Sequence, residues 1–352
     1  SRDRLDVVLL GVGQIGRELL RMLPRTRRRV KPTVVGLIDR SGFVFEPDGL
    51  SATQLQQAIK HKAAGGALAS LPSGHKSQAT QAVQYIASHA LAQPVLVDLT
   101  ADETLPALRA AVGGEMDIVL ANKKPLAAAR GEVAALHAAA AAQGVRILHE
   151  TTVGAGLPVM DSFAKLVETG DQVLRIEGCT SGTLGFLLTQ IGAGRAFSEA
   201  LREAMQRGYT EPDPRDDLSG MDVARKALIL ARLMGFEDEL SDVRVESLVP
   251  ESARQLTTAR FLATLHEQDA AWATRQAAAE RQGKVLRYVL RATRRAVRVG
   301  LQAVDRSHPL ASLRGTDNQI VFTTRRYREY PLVITGPGAG PEVTAAGVLN
   351  DI

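Results

Sequence analysis

Two lysines and a crowd of acids are the residues best equipped for proton chemistry. Asp222 and Lys226 lie four apart in Gly220-Met-Asp-Val-Ala-Arg-Lys226, so on a helix they share one face and can pair. On spacing alone this is a surface ion pair. The preceding segment shifts that reading. Glu211, Asp213, Asp216 and Asp217 join Asp222 in a stretch broken by Pro and Gly. Carboxylates so crowded repel one another unless something positive sits among them; an amino-acid ammonium group and a lysine would serve. A calcium loop is the alternative, but the regular spacing of its oxygen ligands is missing. Lys123 and Lys124 follow the apolar run 116–120 in Ala121-Asn-Lys-Lys-Pro125. If that run is a strand, both stand at a carboxyl end, where open α/β sheets bind ligands. The plain alternative is a solvated basic loop.

A second kind of chemistry is written in glycines. Gly11, Gly13 and Gly16, in Gly-Val-Gly-Gln14-Ile15-Gly, form G-x-G-x-x-G between an apolar run at 6–10 and a helical stretch at 15–22. The first glycine permits a tight turn, the second lets backbone approach a pyrophosphate, and the third lets helix pack on strand. The helix N-terminus then offers free N–H groups to the phosphates. Asp39 ends the next strand, where an acid can hold a ribose 2′-hydroxyl. Arg40 beside it can accommodate a 2′-phosphate, so NAD and NADP stay open. The alternative is a tight turn without ligand. A further glycine-rich turn, Glu150-Thr-Thr-Val-Gly-Ala-Gly-Leu-Pro158, reads as a hinge or as a carboxylate beside carbonyls that can coordinate a hard cation.

These residues need a frame. The 352 residues are enough for two domains. Apolar residues at 45% and charged ones at 23% fit a globular chain rather than a fibre or a disordered tail. Residues 1–150 alternate short apolar strands with helices, the sign of a parallel sheet covered on both faces. Residues 151–325 read as α+β with a largely antiparallel sheet, including a hairpin over 285–301, strands near 172–178 and 243–248 and a helix at 254–265. Residues 326–352 read as strand, turn and helix returning to the first domain. The net charge of +5 is mild and suits anionic ligands. The basic run Arg25, Arg27, Arg28, Arg29, Lys31 carries no aromatics, so it reads as a solvated loop and not a nucleic-acid site. The single cysteine, Cys179, excludes an internal disulfide and a cysteine-cluster zinc site. No signal peptide or membrane span is evident, and a cytoplasmic setting is expected.

With these residues in place, the chain resembles homoserine dehydrogenase over almost its whole length. The stretches that carry the likeness are GVGQIG (11–16), ANKKPLA (121–127), ETTVGAGLPV (150–159), IEGCTSGTLGFLL (176–188), GYTEPDPRDDLSGMDVARKALILAR (208–232), SHPLASLRGTDN (307–318) and GAGPEVTAAGVL (338–349). It is similar to the short fungal-type enzymes and to the dehydrogenase half of bifunctional aspartokinase–homoserine dehydrogenases. The resemblance implies a Rossmann-type domain, a dimerising sheet and NAD(P)-dependent interconversion of L-homoserine and L-aspartate 4-semialdehyde, on the route to threonine and methionine. It makes Lys226 the proton donor and acceptor, oriented by Asp222, with Lys123 near nicotinamide and substrate. Glu211 and Asp217 would hold the substrate ammonium beside Gly182, Thr183 and Tyr209. The glycine turn, Asp39, Arg40, Thr100 and Gly340 would meet the cofactor. Glu150 with carbonyls of Val153, Ala155 and Leu157 would bind a monovalent cation, usually sodium. A homodimer is expected, and regulation by threonine through an aspartokinase or ACT-type region is not expected.

Overall fold

The computed structural model describes residues 4–27 and 29–352, so Arg28 of the basic run lies outside the described residues. Arg25, Arg27, Arg29 and Lys31 are exposed. The chain forms two compact units, 1–156 with 340–352, and 157–339.

In the first unit, the apolar runs of the sequence become strands β1 (Arg4–Leu10), β2 (Lys31–Asp39), β3 (Gly42–Phe45), β4 (Gly74–Lys76), β5 (Val95–Asp98), β6 (Asp117–Leu120) and β7 (Ile147–Leu148), in the order β4-β3-β2-β1-β5-β6-β7. β2, β1, β5, β6 and β7 are parallel. β3 and β4 add an antiparallel edge that the sequence pattern does not announce. They are short, and their pairing needs Gly42, where a Cβ would overlap the His75 carbonyl. Val7, Leu9, Leu37 and Val97 form a core with Leu19 and Leu20 of the helix Gln14–Met22 and Ala345 and Val348 of the helix Pro341–Asp351.

The second unit holds β8 (Val173–Cys179), β9 (Arg244–Val245), β10 (Lys284–Ala292), β11 (Val297–Asp305), β12 (Asp317–Thr324) and β13 (Leu332–Pro337), in the order β13-β12-β8-β10-β11-β9. Every pairing is antiparallel except β9 with β11. β10 and β11 form the expected hairpin.

Three expectations need correction. The return to the first unit begins at Gly340, not at 326: β13 pairs with β12 through Asp317↔Pro337 to Phe322↔Leu332, which keeps it in the second sheet. The strand expected over 243–248 stops at Val245, and the Leu248 N–H turns to the Leu218 carbonyl at 2.8 Å. The helix expected over 254–265 is a 3-10 turn at Glu251–Ala253 and a separate helix, Thr258–Ala263, started by the Thr257 side chain on Arg260 N at 3.2 Å. The carbonyls of Ala253 and Leu256, which a continuous helix would use, are instead taken by Arg215.

Candidate active site

In the first unit, the glycine turn leaves β1 with Gly11 at φ +99°, a region glycine enters freely. Its N–H donates to the Ile38 carbonyl at 2.8 Å. Gly16 is pressed so close that a Cβ would stand 2.6 Å from the Gly11 carbonyl oxygen. A Cβ on Gly13 would meet nothing within 4 Å. Gly13 caps the helix that begins with Gln14 and Ile15, and no side chain caps it. A cavity of about 590 Å³ opens there, lined by Gly11, Gly13, Asp39, Arg40, Lys62 and Thr100 among others. Uncapped N–H groups facing open space at a helix N-terminus are the surroundings a phosphate needs, so these residues fit a dinucleotide.

Asp39 is more engaged than the motif foretells. It accepts from Ser41 N at 2.8 Å, Ser41 Oγ at 2.5 Å, Leu68 N at 3.1 Å and Lys62 Nζ at 2.6 Å. Burial resists its charge, but these donors, Lys62 foremost, outweigh it and hold the carboxyl below its ordinary value. Arg40 reaches Asp102 with Nη2 at 2.5 Å and stays 87% exposed. Lys62 comes from the helix Ala52–Ala63, 23 residues from Asp39, and no local motif announces it.

Sequence reasoning also passes over Asp98 and Asn122, the knot beneath the next two loops. Asp98, fully buried at the end of β5, accepts from Thr100 N at 3.0 Å, Thr100 Oγ1 at 2.8 Å, Thr104 Oγ1 at 2.5 Å and Asn122 Nδ2 at 3.1 Å. Burial still pushes its carboxyl above the ordinary value. Asn122 also donates to Asp102 O at 2.9 Å and accepts from Lys124 N at 3.1 Å. Thr100 and the half-buried Lys123 therefore stand on loops tied together at their bases. The signal available was position: both polar residues end or follow parallel strands.

Glu150 is buried at 6% exposure and starts a 3-10 turn with Val153 after it. Gly154 and Ala155 follow at φ +79° and +51°, a left-handed turn that an alanine adopts only under strain. A buried carboxylate beside carbonyls turned by such a bend is oxygen chemistry suited to a hard cation. Leu157 belongs to the other unit. Gly340, at φ +133°, caps the helix Pro341–Asp351.

In the second unit, the acids and lysine of the 208–232 motif come together with the turn after β8. Thr183, in the helix Gly182–Gly192, has its hydroxyl between the Tyr209 carbonyl and Asp217 Oδ1, the latter at 3.0 Å. Asp217 Oδ2 accepts from Glu211 N at 2.8 Å. Burial raises the Asp217 carboxyl above its ordinary value, and the nearby Glu211 and Asp216 charges add to it. Tyr209 is partly exposed, with its ring 5.2 Å from that of Phe186.

The crowding argument needs revision at Asp213. Its counter-charge is Arg215 of the same motif, with Nη2 on Asp213 Oδ2 at 2.6 Å. That contact, aided by Thr258, lowers the Asp213 carboxyl to about 2. Arg215 also donates to Ala253 O at 3.0 Å and Leu256 O at 2.7 Å. This clamp holds the helix Pro214–Leu218; Glu211, Asp216 and Asp217 have no lysine or arginine bonded to them in these contacts, and of the three Glu211 and Asp217 are the two joined to Thr183 and its loop.

Lys226 lies on the helix Met221–Leu233. Its side chain is only 13% exposed, which is not the surface pair of the plain reading. Nζ donates to Asp222 Oδ2 at 2.8 Å and to the Thr180 carbonyl at 2.8 Å. An ammonium carries three N–H donors, so these two contacts leave one for a reacting oxygen. Gly220 begins this helix at φ +75°, and a Cβ there would overlap the Tyr288 hydroxyl. That hydroxyl donates to Glu246 O at 2.8 Å. Cys179 is buried, and burial pushes its thiol up to about 12, which removes it as a nucleophile.

A family model described as homoserine dehydrogenase matches residues 158–352, and one described as its NAD binding domain matches residues 11–150. The chain belongs to the homoserine dehydrogenase family. Homoserine dehydrogenase from Emericella nidulans is 40% identical over 98% of this chain and 96% of its own. A bifunctional aspartokinase/homoserine dehydrogenase from Zea mays is 40% identical over the whole chain. The chain spans 38% of the length of that bifunctional relative. A crystal structure of a Candida auris protein of unknown function superposes with a TM-score of 0.88 at 34% identity, covering 99% of this chain and 97% of that one. The fold shared with homoserine dehydrogenases is thus a nucleotide-binding unit with a mainly parallel sheet and a second unit with a mainly antiparallel one. Among the described residues no helix is long and apolar enough to cross a membrane.

Proposed function

We propose that the chain interconverts L-homoserine and L-aspartate 4-semialdehyde with NAD(P), and that Lys226 moves the proton. The observation that carries this reading is a shielded amine with two of its three donors committed to Asp222 and Thr180, in the same unit as the acids Glu211 and Asp217. The cofactor supplies hydride acceptance and release at its nicotinamide. In the reduction direction, Lys226 offers its remaining N–H to the carbonyl oxygen and stabilises the developing alkoxide. It then gives that proton to the alkoxide and is left a neutral amine; in oxidation the neutral amine takes the hydroxyl proton on its lone pair. Glu211 and Asp217 hold the substrate ammonium, with Gly182, Thr183 and Tyr209 shaping that end. Lys123, on a loop of the nucleotide-binding unit, adds positive charge for the cofactor.

NADP is the favoured cofactor in this reading. Arg40 and Lys62 bring two cations to the cavity beside Asp39, whose own charge Lys62 already meets, and a 2′-phosphate needs such partners. Glu150 with the carbonyls of Val153 and Ala155 takes a monovalent cation, sodium. A homodimer in the cytoplasm completes the proposal.

The test is absorbance at 340 nm with homoserine and either NADP or NAD. Homoserine-dependent reduction that is faster with NADP supports the proposal. No reduction with either cofactor between pH 7 and 10 rejects the activity, and a clear preference for NAD rejects the cofactor choice.

A further inference from the structure

The motif SHPLASLRGTDN (307–318) and the glycines Gly336 and Gly338 have no role in the chemistry so far. The first is a built element. Arg287, 8% exposed, donates to the carbonyls of Leu310 and Leu313, each at 3.0 Å, and so holds the turn that leads into β12. β12 then delivers Asn318, which is 1% exposed. Asn318 lies beside the end of β8, since the next pair in register is Gln319↔Cys179. Its Nδ2 faces the Thr180 carbonyl at 3.4 Å, and this is the oxygen that accepts from Lys226 Nζ at 2.8 Å.

The amide can stand only one way round. Turned over, it would set its own oxygen against the Thr180 oxygen, two acceptors face to face. Asn318 Oδ1 and Thr180 Oγ1 are buried with no hydrogen-bond partner among the described residues. Buried acceptors left so are uncommon and need a reason. The room for the amide comes from Gly338, where a Cβ would overlap its three terminal atoms.

We propose that Asn318 is a positioning residue for Lys226. Its N–H fixes the Thr180 carbonyl, and that carbonyl fixes the amine. Asn318 Oδ1 and Thr180 Oγ1 leave buried acceptors in the two residues that make this contact instead of apolar atoms, and Gly338 keeps the place open. Asn318 acts through Thr180 and touches no reacting atom. The inference rests on the role given to Lys226 above.

The test compares Asn318→Ala and Asn318→Asp with the unaltered chain. Asp has the same shape but, ionised, cannot donate to Thr180. Asn318→Ser keeps part of the volume should either variant fail to fold, as judged by melting temperature. We expect kcat for homoserine oxidation to fall about tenfold, with homoserine KM and NADPH Kd within about twofold. A second readout is independent of turnover: trinitrobenzenesulfonate labelling of Lys226, followed by peptide mass spectrometry, should change at least about threefold in rate, while the exposed Lys60 and Lys165 stay constant. Unchanged kcat with unchanged labelling overturns the proposal, as does a rise in KM at constant kcat. If the unaltered chain fails to oxidise homoserine, the proposed activity falls, while the labelling comparison still decides whether Asn318 holds the amine.

Discussion

Two carboxylate–lysine pairs stand where ligands are proposed to bind, Asp39–Lys62 at 2.6 Å and Asp222–Lys226 at 2.8 Å. They look alike as distances and differ as chemistry. Asp39 accepts from four protein donors, about as many as a carboxylate has lone-pair sites. Its lysine completes a turn that is satisfied from within. Asp222 is half exposed, and its lysine divides its donors between that acid and a carbonyl. In the first pair the carboxylate consumes its hydrogen-bonding capacity in building a cavity wall. The second holds some in reserve. Proximity of opposite charges therefore says less about function than the donors and acceptors left over.

The sharpest way to break this contrast is to remove each lysine. Lys226→Ala should lower kcat by about 10²-fold or more, with NADPH Kd by fluorescence titration little changed; near-normal turnover would return that pair to the status of an ordinary ion pair. Next in size, Glu211→Ala should raise homoserine KM by about tenfold or more, the scale of a charged hydrogen bond. Steady-state kinetics showing an unchanged KM would take Glu211 out of the substrate site. Lys62→Ala should lower kcat/KM for NADP by about tenfold relative to NAD. An unaltered ratio would mean that Lys62 serves Asp39 alone.

The smallest effect concerns the Asp213–Arg215 clamp. Asp213 has its carboxyl at about 2 against an ordinary 3.8. A depressed acid contributes stability that is present above its unfolded value and lost as pH falls through the folded one. Asp213→Asn should therefore lower the melting temperature by a few degrees at neutral pH. The gap from the unaltered chain should shrink below about pH 4 and close near pH 2. A gap constant down to pH 2 would show that the clamp works through shape and not charge.

The first sheet's parallel strands were legible because buried strands in such sheets are continuous apolar runs, as in Val7–Leu10. The antiparallel edge β3–β4 was not, because Gly74–Lys76 carries no apolar side chain and leaves Gly42–Phe45 as a lone short run with no readable partner. Motifs confined to one turn were also legible: Gly11 and Gly16 show the backbone angle and the close approach their types demand. What escaped were partners brought from afar. Lys62 reaches Asp39 across 23 residues, and Asn318 reaches Thr180 across 138. Arg215 was in plain view within EPDPRDD, yet its effect on Asp213 depends on the carbonyls at 253 and 256 that hold it, and no spacing rule records those.

The glycine that opens the lysine helix has a consequence for how this sequence can vary. Tyr288 fills the space where any side chain at position 220 would go, and that tyrosine is itself moored to Glu246. The azimuth of the amine six positions later is thus set by a contact that involves neither the amine nor its partners Asp222 and Thr180. A change at position 220 or 288 should therefore turn the amine even when every acid of the 211–217 loop is kept.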